Sequence, residues 1–192
     1  MYCAVYEQLG GDSMARLIVI RHCKATGQDA EAPLTESGYK EAQQLASFLE
    51  RFTVQRIVAS PFTRAVETIM PYANKHGLPI ERDERLQERI LSTENMEDWM
   101  EKLEQSFIDL DLTFTGGESS NEAMKRGYEV INELIGEVGD IVLVTHGNLM
   151  SLLLHHISPS FGFKEWAQLS NPDVYIVEPI NGQQLHFQRL WK

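Results

Sequence analysis

Cysteine is scarce in this sequence, long apolar runs are missing, and basic residues are outnumbered by acidic ones. Cys3 and Cys23 are the only cysteines in 192 residues. That is too few for a disulfide framework, so a reducing, cytoplasmic setting is the expectation. No stretch approaches the roughly 18–20 apolar residues that a membrane-spanning helix needs. The greasiest segments, residues 17–20 and 141–144, are strand-sized. No basic segment followed by an apolar one opens the chain, so no signal peptide is expected. Lys and Arg number 17 against 28 Asp and Glu, a formal net charge of −11. Such a surface repels nucleic acid and anionic lipid, and neither is an expected partner. A small anionic substrate is not excluded, because a cleft can be basic inside an acidic protein. Any cluster of arginines is more informative here for that reason.

Repeats, low-complexity tracts and Pro/Gly-rich linkers are missing as well. The length suits one domain with a sizeable core. Met14 is followed by the start of an apolar segment and could itself be a start. Residues 1–13 are therefore read as an appendage and residues 14–192 as a single domain. The oligomeric state is left open.

What is present is an alternation of strand and helix patterns. Residues 16–20 are short, apolar and β-branched, the pattern of a buried strand. Thr35 is a candidate N-cap for a helix over 35–52, with Tyr39, Ala42, Leu45, Ala46, Leu49 and Phe52 at helical spacing. Residues 56–59 predict a second strand. Ser60-Pro61 then reads as a helix start with a capping hydroxyl, and that helix ends by Gly77. A short third strand is expected within 80–86. Met96, Trp99, Met100, Leu103 and Phe107 mark an amphipathic helix. Ser119 to Glu122 has the spacing of a capping box for another. Residues 141–145 predict a strong buried strand, 148–157 a helix, and 174–177 and 185–190 the last strands. The expected architecture is α/β and three-layered: a mostly parallel central sheet with helices on both faces.

In such sheets ligands bind beyond the carboxyl ends of the strands. After the first strand come Arg21 and His22. After the second come Ser60 to Arg64, and beyond the third comes Glu88. After residues 141–144 come Thr145, His146 and Gly147. A lone arginine here could be a solvated surface residue, and a lone histidine a structural one. Independent surface residues, however, have no reason to collect at one crevice. Together they suit phosphoryl transfer. Guanidinium forks match phosphoryl oxygens, and a helix start offers free N–H groups. A neutral imidazole can attack phosphorus to form a covalent intermediate. A second histidine can donate to the phosphoryl oxygens, and a carboxylic acid can protonate the leaving alkoxide.

These residues resemble the histidine phosphatase superfamily, in the branch containing the phosphoglycerate mutases and their phosphatase relatives. The resemblance runs from Ile18 to about Leu153. Arg21-His22 is similar to the start of the family's Arg-His-Gly signature. Residues 34–38 with 42–45 are similar to its next helix, and residues 60–65 to its Ser-Pro-x-x-Arg-Ala block. Residues 86–88 resemble the loop with the proton-donating acid. Residues 116–119 resemble the segment before the next long helix, and residues 144–147 the second-histidine block. The resemblance implies His22 as nucleophile and Arg21, Arg64 and His146 as a phosphoryl clamp. It implies Glu88 as general acid, then base. Gln28 stands where the family often has a phosphate-binding asparagine, and Gly147 lies against the phosphate. It implies a metal-free phosphatase needing no cofactor, acting on a small phosphorylated metabolite. A mutase, and a phospho-ligand-binding protein with weak catalysis, are the alternatives. The chain looks short for a mutase of the family.

Two departures stand beside the match. Cys23 replaces the signature glycine and must point away from the site or narrow it. Lys24 replaces an often acidic residue and either adds positive charge at the mouth or is simply solvated. His155 and His156 lack the partners of a metal site, and His76 suits a helix end. Glu118 either supports the next helix or lines the cleft. Trp99, Met100 and Phe107 are packing residues or walls of the cleft, in an insertion over 89–115.

Overall fold

The computed structural model describes residues 15–180 and 184–191. The appendage expected at 1–13 lies outside the described residues. Six strands form one sheet: β1 (Arg16–Arg21), β2 (Val54–Ala59), β3 (Ile80–Arg82), β4 (Asp140–Thr145), β5 (Asp173–Ile180) and β6 (Gln184–Arg189), in the order β3-β2-β4-β1-β5-β6. β1, β2, β3 and β4 run parallel, whereas β5 is antiparallel to β1 and β6 to β5. The helices are α1 (Glu36–Leu49), α2 (Thr63–His76), α3 (Trp99–Ile108), α4 (Ser120–Ile135), α5 (Gly147–Ile157) and the single turn α6 (Phe163–Trp166). No described helix is long and apolar enough to cross a membrane.

Alternation along the central strands explains the layers. Successive strand side chains point to opposite faces. Leu17, Val19, Ile141 and Leu143 join one buried cluster with Val130, Ile131 and Leu149 of α4 and α5. Ile18, Ile20, Val142 and Val144 join the other with Leu45 of α1 and Ile69 of α2. Apolar residues on both faces leave no solvent side, hence the unbroken hydrophobic runs.

Most expected elements fall within a few residues of their places, with informative exceptions. Ser119 caps α4 through Glu122, the reciprocal pair expected from the spacing. Ser60 does not cap α2. That helix begins at Thr63 after Phe62, with no side-chain cap; the Ser60 hydroxyl lies ahead of it and accepts the Phe62 N–H at 3.3 Å. The third strand stops at Arg82. Asp83 accepts the Arg85 N–H and starts a 3-10 turn over Glu84–Leu86, which redirects the chain toward the sheet edge.

The loop after β1 is locked against α1. The Lys24 carbonyl accepts the N–H of Thr35 at 2.9 Å and its hydroxyl at 3.2 Å. A Cβ on Gly38 would sit 2.1 Å from that carbonyl oxygen. Gly38→Ala is therefore expected to strain the loop and cost about 1–3 kcal/mol, a fall in Tm of roughly 2–12 °C for a chain of this size. Gly136→Ala, where a Cβ meets nothing within 4 Å, is the control expected to leave Tm unchanged. Equal melting of both variants and the parent would show that the loop yields freely.

Candidate active site

His22 follows directly on β1, and its N–H donates to Thr145 O at 3.0 Å, which ties the ends of β1 and β4 together. Its ring is oriented by a short contact: Nδ1 lies 2.7 Å from the Cys23 carbonyl oxygen. A carbonyl only accepts, so Nδ1 carries the proton and Nε2 keeps its lone pair. Arg64 Nε–H donates to that Nε2 at 3.2 Å. Burial pushes the His22 pKa down to about 3, opposed by the Cys23 carbonyl and reinforced by the charges of Arg64 and Arg21. The ring is thus an uncharged base facing guanidinium groups.

Arg64 is almost fully buried near the start of α2. Its Nη1 donates to the carbonyls of Gln28 at 3.0 Å and Asp29 at 2.8 Å, and its guanidinium lies over the Phe62 ring. Gln28 lines the cleft, and what holds it to the site is its backbone carbonyl. Arg21, paired in register with Thr145 and Asp173, donates from Nη1 to Leu169 O at 3.1 Å. Its Nε is buried with no protein partner. A Cβ on Gly147 would lie 2.9 Å from that Nε, so glycine is what lets the guanidinium pass the start of α5.

His146 is fully enclosed and caps β4. Its ring meets His22 edge to face at 5.1 Å and Phe62 at 5.0 Å. Nε2 is 2.7 Å from Ser60 Oγ, while Nδ1 is buried without a protein partner. Burial, then the neighbouring His22 and arginines, hold its pKa well below the ordinary histidine value. A serine hydroxyl can donate or accept; in the tautomer where it donates to Nε2, Nδ1–H is a neutral donor.

Glu88 comes off the 3-10 turn to the start of α5. Its Oε1 accepts the N–H groups of Arg89 at 2.9 Å and Leu149 at 3.0 Å, and Oε2 accepts that of Asn148 at 3.1 Å. The loop is braced from behind by Arg126, which donates to Arg85 O at 2.6 Å and Gln87 O at 3.0 Å. Arg126 also pairs with Glu118 at 2.5 Å. Glu118 is thereby a support.

His22, Arg21, Arg64, Glu88 and Gly147 line one cleft of about 1130 Å3, with His146 behind them. Cys23 does not line it. Its side chain is fully buried with Ile18, Ile20 and Leu34, and burial pushes the thiol up to about 12, which removes it as a nucleophile. Its N–H donates to Thr68 Oγ1 at 2.9 Å, and that hydroxyl donates to Arg64 O at 2.7 Å. Lys24 does line the cleft. Of the three insertion residues, Trp99 lines it, Phe107 is core and Met100 is exposed. Among the described residues, no three His, Cys, Asp or Glu side chains gather as a metal site would require.

Sequence reasoning missed Asn171, whose Nδ2–H donates to His22 O at 2.7 Å, and Trp166 on the cleft wall. Both precede β5. That strand is antiparallel, so its start, not its end, reaches this edge. Ser60 was noticed only as a cap.

The sheet order and this edge cluster define an α/β protein of phosphoglycerate mutase-like fold. A family model described as histidine phosphatase superfamily (branch 1) matches residues 17–190, and the chain belongs to that family. No curated protein sequence matches it. Among solved structures, a mycobacterial glucosyl-3-phosphoglycerate phosphatase with inorganic phosphate is similar at 22% identity, covering 92% of this chain and 95% of its own, with TM-score 0.72. A phosphoserine phosphatase variant from Entamoeba histolytica with phosphoserine is similar at 21% identity, covering 93% and 96%, with TM-score 0.72. A phosphoglycerate mutase from Bacillus anthracis is similar at 19% identity, covering 93% and 94%, with TM-score 0.73.

The His22 environment has a direct test. Its pKa is lowered in the folded chain, so protonation favours unfolding as pH falls from about 6.5 toward 3, and contributes nothing above that window. Nitrogen-15 NMR at pH 5 is expected to show a neutral ring protonated on Nδ1. A ring that titrates near 6.5 would contradict the buried environment.

Proposed function

We propose that this protein hydrolyses a phosphomonoester through a phosphohistidine on His22. The observation that carries the reading is the His22 ring: uncharged, with its Nε2 lone pair 3.2 Å from Arg64 Nε in a cleft edged by Arg21 and Glu88. Arg21 Nε and His146 Nδ1 are buried polar atoms without protein partners, and a phosphoryl group is an acceptor for both. In the first step Nε2 attacks phosphorus as the ester P–O bond breaks. Glu88 gives a proton to the departing alkoxide. In the second step Glu88 takes a proton from water, which attacks phosphorus and frees the histidine. Arg21, Arg64 and His146 hold the phosphoryl oxygens throughout, with Gly147 giving the group room. Cys23 points into the core and leaves the nucleophile's surroundings clear, and Lys24 adds a cation to the cleft lining; both favour catalysis over a binding-only role.

A mutase shares the first step and returns the phosphoryl group to substrate instead of water. The two are separated by supplying 3-phosphoglycerate with catalytic 2,3-bisphosphoglycerate. Phosphate release is expected to match or exceed isomerisation, and the reverse would make the protein a mutase.

His22→Ala is expected to abolish turnover and any acid-labile phosphoenzyme; a variant that still accumulates one would remove His22 from the role. Glu88→Gln is expected to slow alkyl phosphates roughly 10²–10⁴-fold and an activated aryl phosphate much less. Equal losses on both would show that Glu88 does not protonate the leaving group.

A further inference from the structure

The clamp shares a cleft of about 1130 Å3, far more room than a phosphoryl group fills. The remainder has two unlike sides. One is the loop after β1, where Lys24 and Asp29 bring opposite charges. The other is built from Ile90, Leu91, Met96, Trp99 and Leu103, with Trp166. The Trp99 and Trp166 rings meet edge to face at 6.4 Å, and Phe163 stacks on Trp166 at 5.3 Å. Trp99 and Ile90 are 46% and 52% exposed. A contiguous apolar surface of this kind beside a reactive centre marks a binding surface.

The charge on that wall is equally telling. Ser92 and Asn95 are uncharged, and Glu94 is acidic. The cation at its root, Arg89, is only 5% exposed. Its Nη1 donates to Ser106 Oγ at 2.8 Å and Ser120 Oγ at 2.9 Å, and its Nε to Glu118 O at 3.1 Å. A substrate with a carboxylate or a second phosphate would meet Glu94 on this wall, while Arg89, whose Nη2 has no protein partner, sits at its root with little exposure.

We infer that the cleft takes a phosphomonoester of an apolar alcohol bearing a ring, recognised by Trp99 and Trp166. The inference rests on the phosphoryl-site reading above, because Ile90 and Leu91 follow Glu88 closely in the chain and line the same cleft as the clamp.

Three phosphonates test it without turnover: ethylphosphonate, phenethylphosphonate and 2-carboxyethylphosphonate, titrated calorimetrically into the full chain. Phenethylphosphonate is expected to bind about tenfold tighter than ethylphosphonate, the gain from burying roughly 60 Å2 of apolar surface. The carboxyethyl compound is expected to bind more weakly than the phenethyl one. Trp99→Ala and Trp166→Ala should each pull the phenethyl-to-ethyl ratio toward one, and Trp99→Phe should keep most of it. The partly exposed position of Trp99 makes a folding failure there readily separable by circular dichroism. Tightest binding by the carboxyethyl compound, or a ratio unmoved in both alanine variants, overturns the inference alone. Failure of all three to bind overturns the phosphoryl-site reading and the inference with it.

Discussion

An uncharged imidazole held among guanidinium groups is the condition on which this site depends. The contact that secures it is the one between His22 Nδ1 and the Cys23 carbonyl. Protonated on the other nitrogen, the ring would present an N–H to Arg64, donor against donor. Burial keeps the second proton off, and the same burial keeps His146 neutral. Two rings that could each carry a charge at mildly acidic pH therefore stay uncharged beside Arg21 and Arg64. The positive charge of the clamp is left to the arginines, which hold it permanently.

The sheet supplies this arrangement cheaply. Parallel β1, β2 and β4 end at one edge, so His22, the Ser60–Arg64 segment and His146 converge without any long excursion of the chain. Backbone groups complete the work: the start of α5 receives Glu88, and the carbonyls of Gln28 and Asp29 fix Arg64. Arg21, Arg64 and Glu88 are thus positioned by main-chain groups of other segments, His22 by the carbonyl of its neighbour Cys23, and His146 by the Ser60 hydroxyl.

Much of this was legible in the sequence because the parallel strands carry their own signal. Residues 17–20 and 141–144 are apolar without interruption, as doubly covered strands must be, and the polar residues that follow each run fall at one edge. The Ser119–Glu122 pair announced α4 through local chemistry alone. What was hidden is long-range. Nothing in the pattern of residues 173–177 distinguishes an antiparallel strand from a parallel one, so Asn171 and Trp166, which reach the edge before β5, went unseen. Ser60 was misjudged because α2 starts only at Thr63, and because its hydroxyl also meets His146, 86 positions away. The place where Cys23 points follows from Thr68 and the α1 packing, which no local motif encodes.

That cysteine has a use of its own. Its thiol is sealed beneath the loop that carries the nucleophile, with no route for a reagent while the loop stays seated. Alkylation of Cys23, distinguished from that of Cys3 by peptide mapping, therefore counts excursions in which the loop lifts. Under conditions where reclosing is faster than labelling, the labelling rate reports the free energy of that local opening. The residue that breaks the signature thus serves as a native clock for the motions of the segment holding His22.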